Sequence, residues 1–191
     1  MNTAKQKPRV AFQGEHGAFS EEAALKLLGN DIELVPRPTF DALFDSLDND
    51  VADYVVAPVE NSIAGIVKEC DSRIQTGAFT ILNQVELQID QHLIGCPGTD
   101  FDTIETVQSH KKALEQCTRF FEQHSRLKSV EADDTAGSVA EIVARGNRKI
   151  AAIAGRQAAE LYGGEIILES IQDQARNLTR FVLLSIKEHQ S

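Results

Sequence analysis

The sequence predicts an α/β protein of two lobes joined by two strand crossings. Three observations carry this. Short apolar runs alternate with helix-period segments along most of the 191 residues. The stretch from Phe79 to Leu93 keeps a period of two for longer than an average strand of about 5–6 residues. A further apolar strand, TRFVLLSI, runs from Thr179 to Ile186. Alternation of this kind implies mainly parallel sheet with helices on its faces.

Taken in order, RVAFQG (9–14) reads as a strand, and Ser20 stands ready to cap a helix through EEAALKLL. IELVPR is the next strand. Thr39 then precedes Phe40, Leu43, Phe44 and Leu47, which share one helix face. DYVVAPV (53–59) returns to strand. In the long alternating run the odd positions Phe79, Ile81, Val85, Leu87, Ile89 and Leu93 are apolar, which reads as two strands in series. The first crossing is expected between Gln84 and Ile89. Ala113, Leu114, Cys117, Phe120 and Phe121 make one helical stripe, and Ala136, Val139, Ala140 and Val143 another, behind Asp134 as cap. KIAAIA (149–154) and EIILES (165–170) are strands, and the last strand returns to the first lobe. The expected bounds are about 8–84 plus 175–186 for the first lobe and 87–173 for the second, enclosing a cleft.

A hydrophobic content of 42% suffices for one sizeable core or two small lobes. No run of about 18 apolar residues exists to span a membrane, and MNTAKQKPRVAF lacks the apolar centre of a secretory signal. Cys70, Cys96 and Cys117 match neither a disulfide framework nor a zinc pattern, so a reducing, cytoplasmic address is expected. The net charge of −10 argues against nucleic acid or anionic lipid as partner. An anionic small molecule would need a locally positive pocket.

Four stretches place polar residues at strand ends, where α/β sheets take ligands. GEHGAFSEEAA has G-x-x-G rather than the dinucleotide fingerprint, and Glu15 would repel a phosphate; it reads as a tight turn, a ligand contact, or both. PVENSIAG offers a carboxylate, an amide and a hydroxyl in Glu60, Asn61 and Ser62; a polar turn is the alternative. In SHKKALEQC, Ser109 is well placed as an N-cap, and His110, Lys111 and Lys112 add cations where the helix already carries positive partial charge. A nearby anion would account for them, as would a solvated turn. In DDTAGSVAEI, capping by Asp134 or Thr135 is explanation enough. No nucleophile set and no metal-ligand spacing can be assigned, which suits a reaction whose substrate does most of its own chemistry.

In order, GEHGAFSE, PVENSIAG, SHKKALEQC, DDTAGS, AAIA and NLTRF resemble the catalytic domain of the prephenate dehydratases, the lyases that make phenylpyruvate on the route to phenylalanine. The resemblance covers residues 8–186. It implies a two-lobed fold like that of type II periplasmic binding proteins, no cofactor, and a homodimer or homotetramer. It implies that Thr179 is the essential catalytic residue, an oriented donor to the departing hydroxyl. Phe181 would lie against the substrate ring, and the pleat would turn Arg180 to the other face. Arg180 would then either reach round to a carboxylate or pair with an acid such as Glu60. Asn61, Ser62, Ser109 and Thr135 are expected as polar liners, with Ser20, Glu60 and His110 as further substrate contacts. Lys111 and Lys112 depart from the Pro-Gln usual in the family. The family usually continues into a phenylalanine-binding ACT domain, whereas this chain ends ten residues after Phe181. A naturally unregulated form and a cut at the domain boundary both fit. Arogenate dehydratase is the neighbouring reading, and a non-catalytic binding module on the same fold the more distant one.

Overall fold

The computed structural model describes residues 6–186, which divide into two compact units. The first takes the described residues up to Gly14, then Ser20–Leu87, and the described residues from Leu178 onward. Its sheet runs β2-β1-β3-β11-β5, with β1 Arg9–Gln13, β2 Glu33–Arg37, β3 Tyr54–Asn61, β5 Phe79–Gln88 and β11 Leu178–Ile186; the short β4, Gly65–Ile66, pairs with β3. Helices α1 (Phe19–Leu28), α2 (Phe40–Asp48) and α3 (Lys68–Gln75) complete it.

The physics of this unit is visible in β1, where Val10, Ala11 and Phe12 are all fully buried. A strand covered on both faces needs consecutive apolar residues rather than alternation. On one face Ala11, Val55, Ala57, Val182 and Leu184 pack with Leu43, Phe44 and Leu47 of α2. That helix starts where the sequence places it, because the Thr39 hydroxyl accepts the Ala42 N–H at 3.2 Å.

The second unit comprises Glu15–Phe19 and Gln88–Asn177. Its sheet order is β10-β6-β9-β7-β8, from β6 His92–Gly95, β7 Thr106–His110, β8 Lys128–Ala132, β9 Ile150–Ala154 and β10 Glu165–Leu168. The helices are α4 (Lys111–Glu115), α5 (Thr118–Gln123), α6 (Thr135–Arg145) and α7 (Arg156–Tyr162). Asp134 caps α6 by accepting the Gly137 N–H at 2.7 Å. Among the described residues no helix is long and apolar enough to cross a membrane.

The fold class is the expected one, two α/β units; the chain passes between them after Leu87 and after Asn177 as expected, and also after Gly14 and after Phe19. The period-two run is indeed two strands, β5 and β6, separated by residues 89–91. Four expectations need correction. The sheets are mixed rather than mainly parallel: β11 runs antiparallel to β3, and β6 runs antiparallel to β9 and β10. The stripe from Ala113 to Phe121 lies on two helices, since Cys117 sits at φ −121°, ψ 32°, outside helical geometry. Ser20 is no cap, because α1 begins one residue earlier at Phe19. Residues 15–19 belong with the second unit rather than the first.

That last correction accounts for the second glycine of the G-x-x-G, Gly17. Gly17 sits at φ +87°, and a Cβ there would lie 2.9 Å from the Ala158 Cα. The Phe19 ring rests on Gly155, where a Cβ would come within 2.8 Å of a ring carbon. Tyr162 donates its hydroxyl proton to the His16 carbonyl at 2.8 Å. Gly17 and Gly155 therefore allow the loop to lie flat on α7, which gives the stretch a packing reason.

Candidate active site

In the first unit two of the singled-out stretches meet residue by residue. β3 and β11 are antiparallel, with Thr179 opposite Asn61 and Arg180 opposite Glu60. The register then shifts, so that Phe181 faces Pro58 and Val59 is the extra residue of a bulge in β3. Side chains of directly opposed residues project to the same face, and successive pairs alternate. Thr179 and Asn61 thus share one face, and Arg180 and Glu60 the other.

Asn61 is 9% exposed and almost fully engaged. Its Oδ1 accepts the N–H groups of Ile63 at 3.0 Å and Ala64 at 2.9 Å. Backbone N–H groups only donate, so the oxygen must stand there and the amide nitrogen on the opposite side. Nδ2 donates to the Leu178 carbonyl at 3.2 Å and to Thr179 Oγ1 at 2.9 Å. The hydroxyl of Thr179 therefore accepts from Asn61 and keeps its own proton to donate. Among the described residues that proton meets no acceptor, although Thr179 is only 8% exposed.

Ser62 follows in the turn from β3 to β4, which closes at Gly65 with φ +79°. Its N–H donates to the Leu178 carbonyl at 2.8 Å, and its Oγ accepts the Leu178 N–H at 2.9 Å. Arg180 donates from Nη2 to Glu60 Oε2 at 2.8 Å, the pairing that was one of the two expectations for this residue. Phe181 is buried on the Thr179 face. Ser20, in the first turn of α1, makes no hydrogen bond to this cluster among the described residues.

In the second unit Ser109, His110 and Thr135 lie at the C-terminal ends of parallel strands. β7 pairs with β8, setting His110 opposite Ala132, three residues before Thr135. Ser109 is fully buried and donates to the Ile153 carbonyl at 2.6 Å, bracing β7 against β9. It is thus not the helix cap. That position falls to His110, whose Nδ1 accepts the Lys112 N–H at 3.2 Å. Thr135 is the first residue of α6 and half-buried, while Lys111 and Lys112 are exposed on α4.

Two features of the second unit went unread in the sequence. Asn177 is wholly buried, and its Nδ2 donates to Gln116 Oε1 at 3.1 Å. The preceding segment is tied down by Gln172 to Asp90 at 2.8 Å and by Asp173, which accepts the N–H groups of Thr118 and Arg119 at 3.0 and 2.9 Å. The second feature is His92, buried in β6, whose Nδ1 accepts the Ser170 N–H at 3.1 Å. Burial, reinforced by nearby Arg156, holds its pKa below the ordinary 6.5 against the opposing pull of Asp90 and Glu169. For Asn177 the available signal was its place at the head of the NLTRF stretch. His92 had none.

Comparison with known proteins shows the family. The model of the family described as prephenate dehydratase matches residues 10–189. Among curated relatives, arogenate dehydratase/prephenate dehydratase 1 of Arabidopsis thaliana is 36% identical over 94% of this chain and 45% of its own length. The bifunctional chorismate mutase/prephenate dehydratase of Neisseria gonorrhoeae is 35% identical over 94% of this chain and 50% of its own. The chain therefore spans about half the length of such relatives. Among solved structures, the prephenate dehydratase of Arthrobacter aurescens in complex with L-Phe aligns with a TM-score of 0.85 at 25% identity, covering 95% of this chain and 61% of that one. With a family match running through nearly all of its residues, the chain belongs to the prephenate dehydratase family.

Proposed function

We propose that this chain carries the catalytic machinery for the decarboxylative dehydration of prephenate to phenylpyruvate, a step of phenylalanine biosynthesis. One observation carries the reading: the Thr179 hydroxyl, held by Asn61 at 2.9 Å, has its proton left over for a ligand.

Prephenate is a cyclohexadiene with a ring carboxylate, a pyruvyl group and, across the ring, a hydroxyl. The bond from ring to carboxylate breaks and CO2 leaves. Its electron pair shifts through the diene, and the carbon–oxygen bond to the hydroxyl breaks. The departing oxygen takes up one proton from solvent, giving water, and the ring becomes aromatic. No electrons are gained or lost overall, so the protein's task is to favour the departing oxygen and to orient the substrate. A threonine hydroxyl is a poor acid, so Thr179 serves as an oriented donor to that oxygen rather than as a free proton source. A donor whose bond strengthens as charge develops is worth about 2.7–4 kcal/mol, or roughly 100- to 1000-fold in turnover.

The pleat separates Arg180 from this chemistry. With Arg180 and Glu60 on the face opposite Thr179, their pair fixes the strand rather than the reacting carboxylate. Phe181 forms the apolar floor beside Thr179. In the second unit His110 and Thr135 are the proposed ligand contacts, and Ser109, whose proton is already committed to Ile153, is withdrawn from that set. Cys70, Cys96 and Cys117 are buried and far from any disulfide framework among the described residues, which supports the proposal of a reducing compartment, the cytoplasm.

A second reading is favoured by the name of the Arabidopsis relative, which pairs arogenate with prephenate dehydratase. The chemistry is the same on an amino rather than a keto side chain. Steady-state rates with both substrates, following phenylpyruvate by its ultraviolet absorbance and phenylalanine by chromatography, decide between them. Turnover of neither would refute the proposed function.

A further inference from the structure

The segments Glu60-Asn61-Ser62 and Leu178-Thr179-Arg180 face one another position by position, yet each pair is joined differently. Glu60 meets Arg180 as an ion pair, and Asn61 meets Thr179 through side chains. Ser62 meets only the backbone of Leu178. In a regular antiparallel ladder such a pair would exchange two backbone bonds. One is present, from the Ser62 N–H to the Leu178 carbonyl at 2.8 Å. The other is not made by the Ser62 carbonyl, because the chain leaves β3 there for its turn. The Ser62 hydroxyl takes its place, accepting the Leu178 N–H at 2.9 Å.

The consequence falls on Thr179. The Leu178 carbonyl belongs to the peptide plane that ends at the Thr179 nitrogen, and it is held by both Ser62 N–H and Asn61 Nδ2. The Leu178 N–H belongs to the plane before it, and Ser62 Oγ holds that one. Two successive planes are thereby fixed immediately ahead of the hydroxyl that must point at a leaving oxygen.

We propose that Ser62 is a positioning residue: its hydroxyl supplies the missing ladder acceptor and aims Thr179, and it does not bind substrate. The inference rests on the functional reading above. It predicts that Ser62→Ala lowers kcat by about 10- to 100-fold, since an unpaired N–H loosens the strand and small misplacements of a donor are costly. KM stays within about twofold, because no substrate contact is lost. Ser62→Thr, which keeps the hydroxyl, restores kcat to near the parent value. Independently of turnover, amide hydrogen exchange at Leu178 accelerates about 10-fold or more in Ser62→Ala and returns to the parent rate in Ser62→Thr.

A raised KM with unchanged kcat and unchanged Leu178 exchange would make Ser62 a substrate ligand and overturn the inference. So would parent-like kcat in Ser62→Ala, or failure of Ser62→Thr to rescue. A parent protein inactive on both prephenate and arogenate would overturn the functional reading and this inference together, so the two failures are told apart by the parent assay.

Discussion

Asn61 does for Thr179 what an amide can do and a carboxylate cannot. Its Nδ2 donates, so the threonine proton stays available. This sets an ordering of variants. Thr179→Ala should lose about 100- to 1000-fold in kcat with its melting temperature little changed, and Thr179→Ser should retain more activity than Thr179→Ala. Asn61→Asp should be worse than Asn61→Ala, because a carboxylate beside Oγ1 would turn the hydroxyl inward and consume its proton. Equal activities for the two Asn61 variants, in the same prephenate assay, would count against the oriented-donor mechanism. At this scale much was legible. The pleat alone separated Thr179 and Phe181 from Arg180, and Glu60 was one of the two partners foreseen for Arg180, beside a substrate carboxylate. Ser20 and Ser109 were misread because capping hangs on a single residue of offset: α1 starts one residue before its expected cap, and Ser109 lies one residue before the true one. Propensity locates a helix start to within a residue or two and no better.

At the scale of elements, the loop at residues 15–19 and the start of α6 offer stability tests. Gly17→Ala must adopt φ +87° and push against the Ala158 backbone, so it should destabilise by about 1–3 kcal/mol in urea unfolding. Asp134→Ala, which removes the acceptor for the Gly137 N–H, should cost about 1 kcal/mol. Elements with a wide apolar stripe were readable, as α2 and α6 show. α3 was not, since Cys70 is its one fully buried residue, and β8 was not, since four of its five residues are exposed. Neither presents the periodicity on which such reading depends. The antiparallel course of β6 and β11 was equally hidden. Strand direction follows from where the connections lead, which apolar spacing does not encode.

At the scale of the whole molecule, His92 links stability to pH. Its folded pKa lies below the ordinary 6.5, so the unfolded chain binds the proton more readily. The stability it contributes is complete above about pH 6.5 and is lost as pH falls through that value towards the folded one. Protonation would also take the acceptor from the Ser170 N–H, at a residue already holding φ +51°. Urea unfolding at pH 7.5 and 5.5 should therefore show a larger drop for the parent than for His92→Gln. Identical drops would remove His92 from the account. The division into two units was legible at this scale from one long alternating run and one late apolar strand. The attachment of residues 15–19 to the second unit was not, because it depends on the fit of Gly17 and Phe19 against α7 rather than on any pattern in the chain.

β11 lies between β3 and β5 in the first sheet, although well over a hundred residues separate Asn61 from Thr179. During synthesis, β1, β2 and β3 leave the ribosome long before their central neighbour exists, and must wait with one edge bare. Residues 88–177, by contrast, form a continuous stretch that can settle while still being made. The threonine that performs the proposed chemistry arrives on the strand that completes the sheet. A nascent or prematurely terminated chain would therefore carry no active hydroxyl, and the long wait makes the early strands the place where a chaperone would most usefully bind.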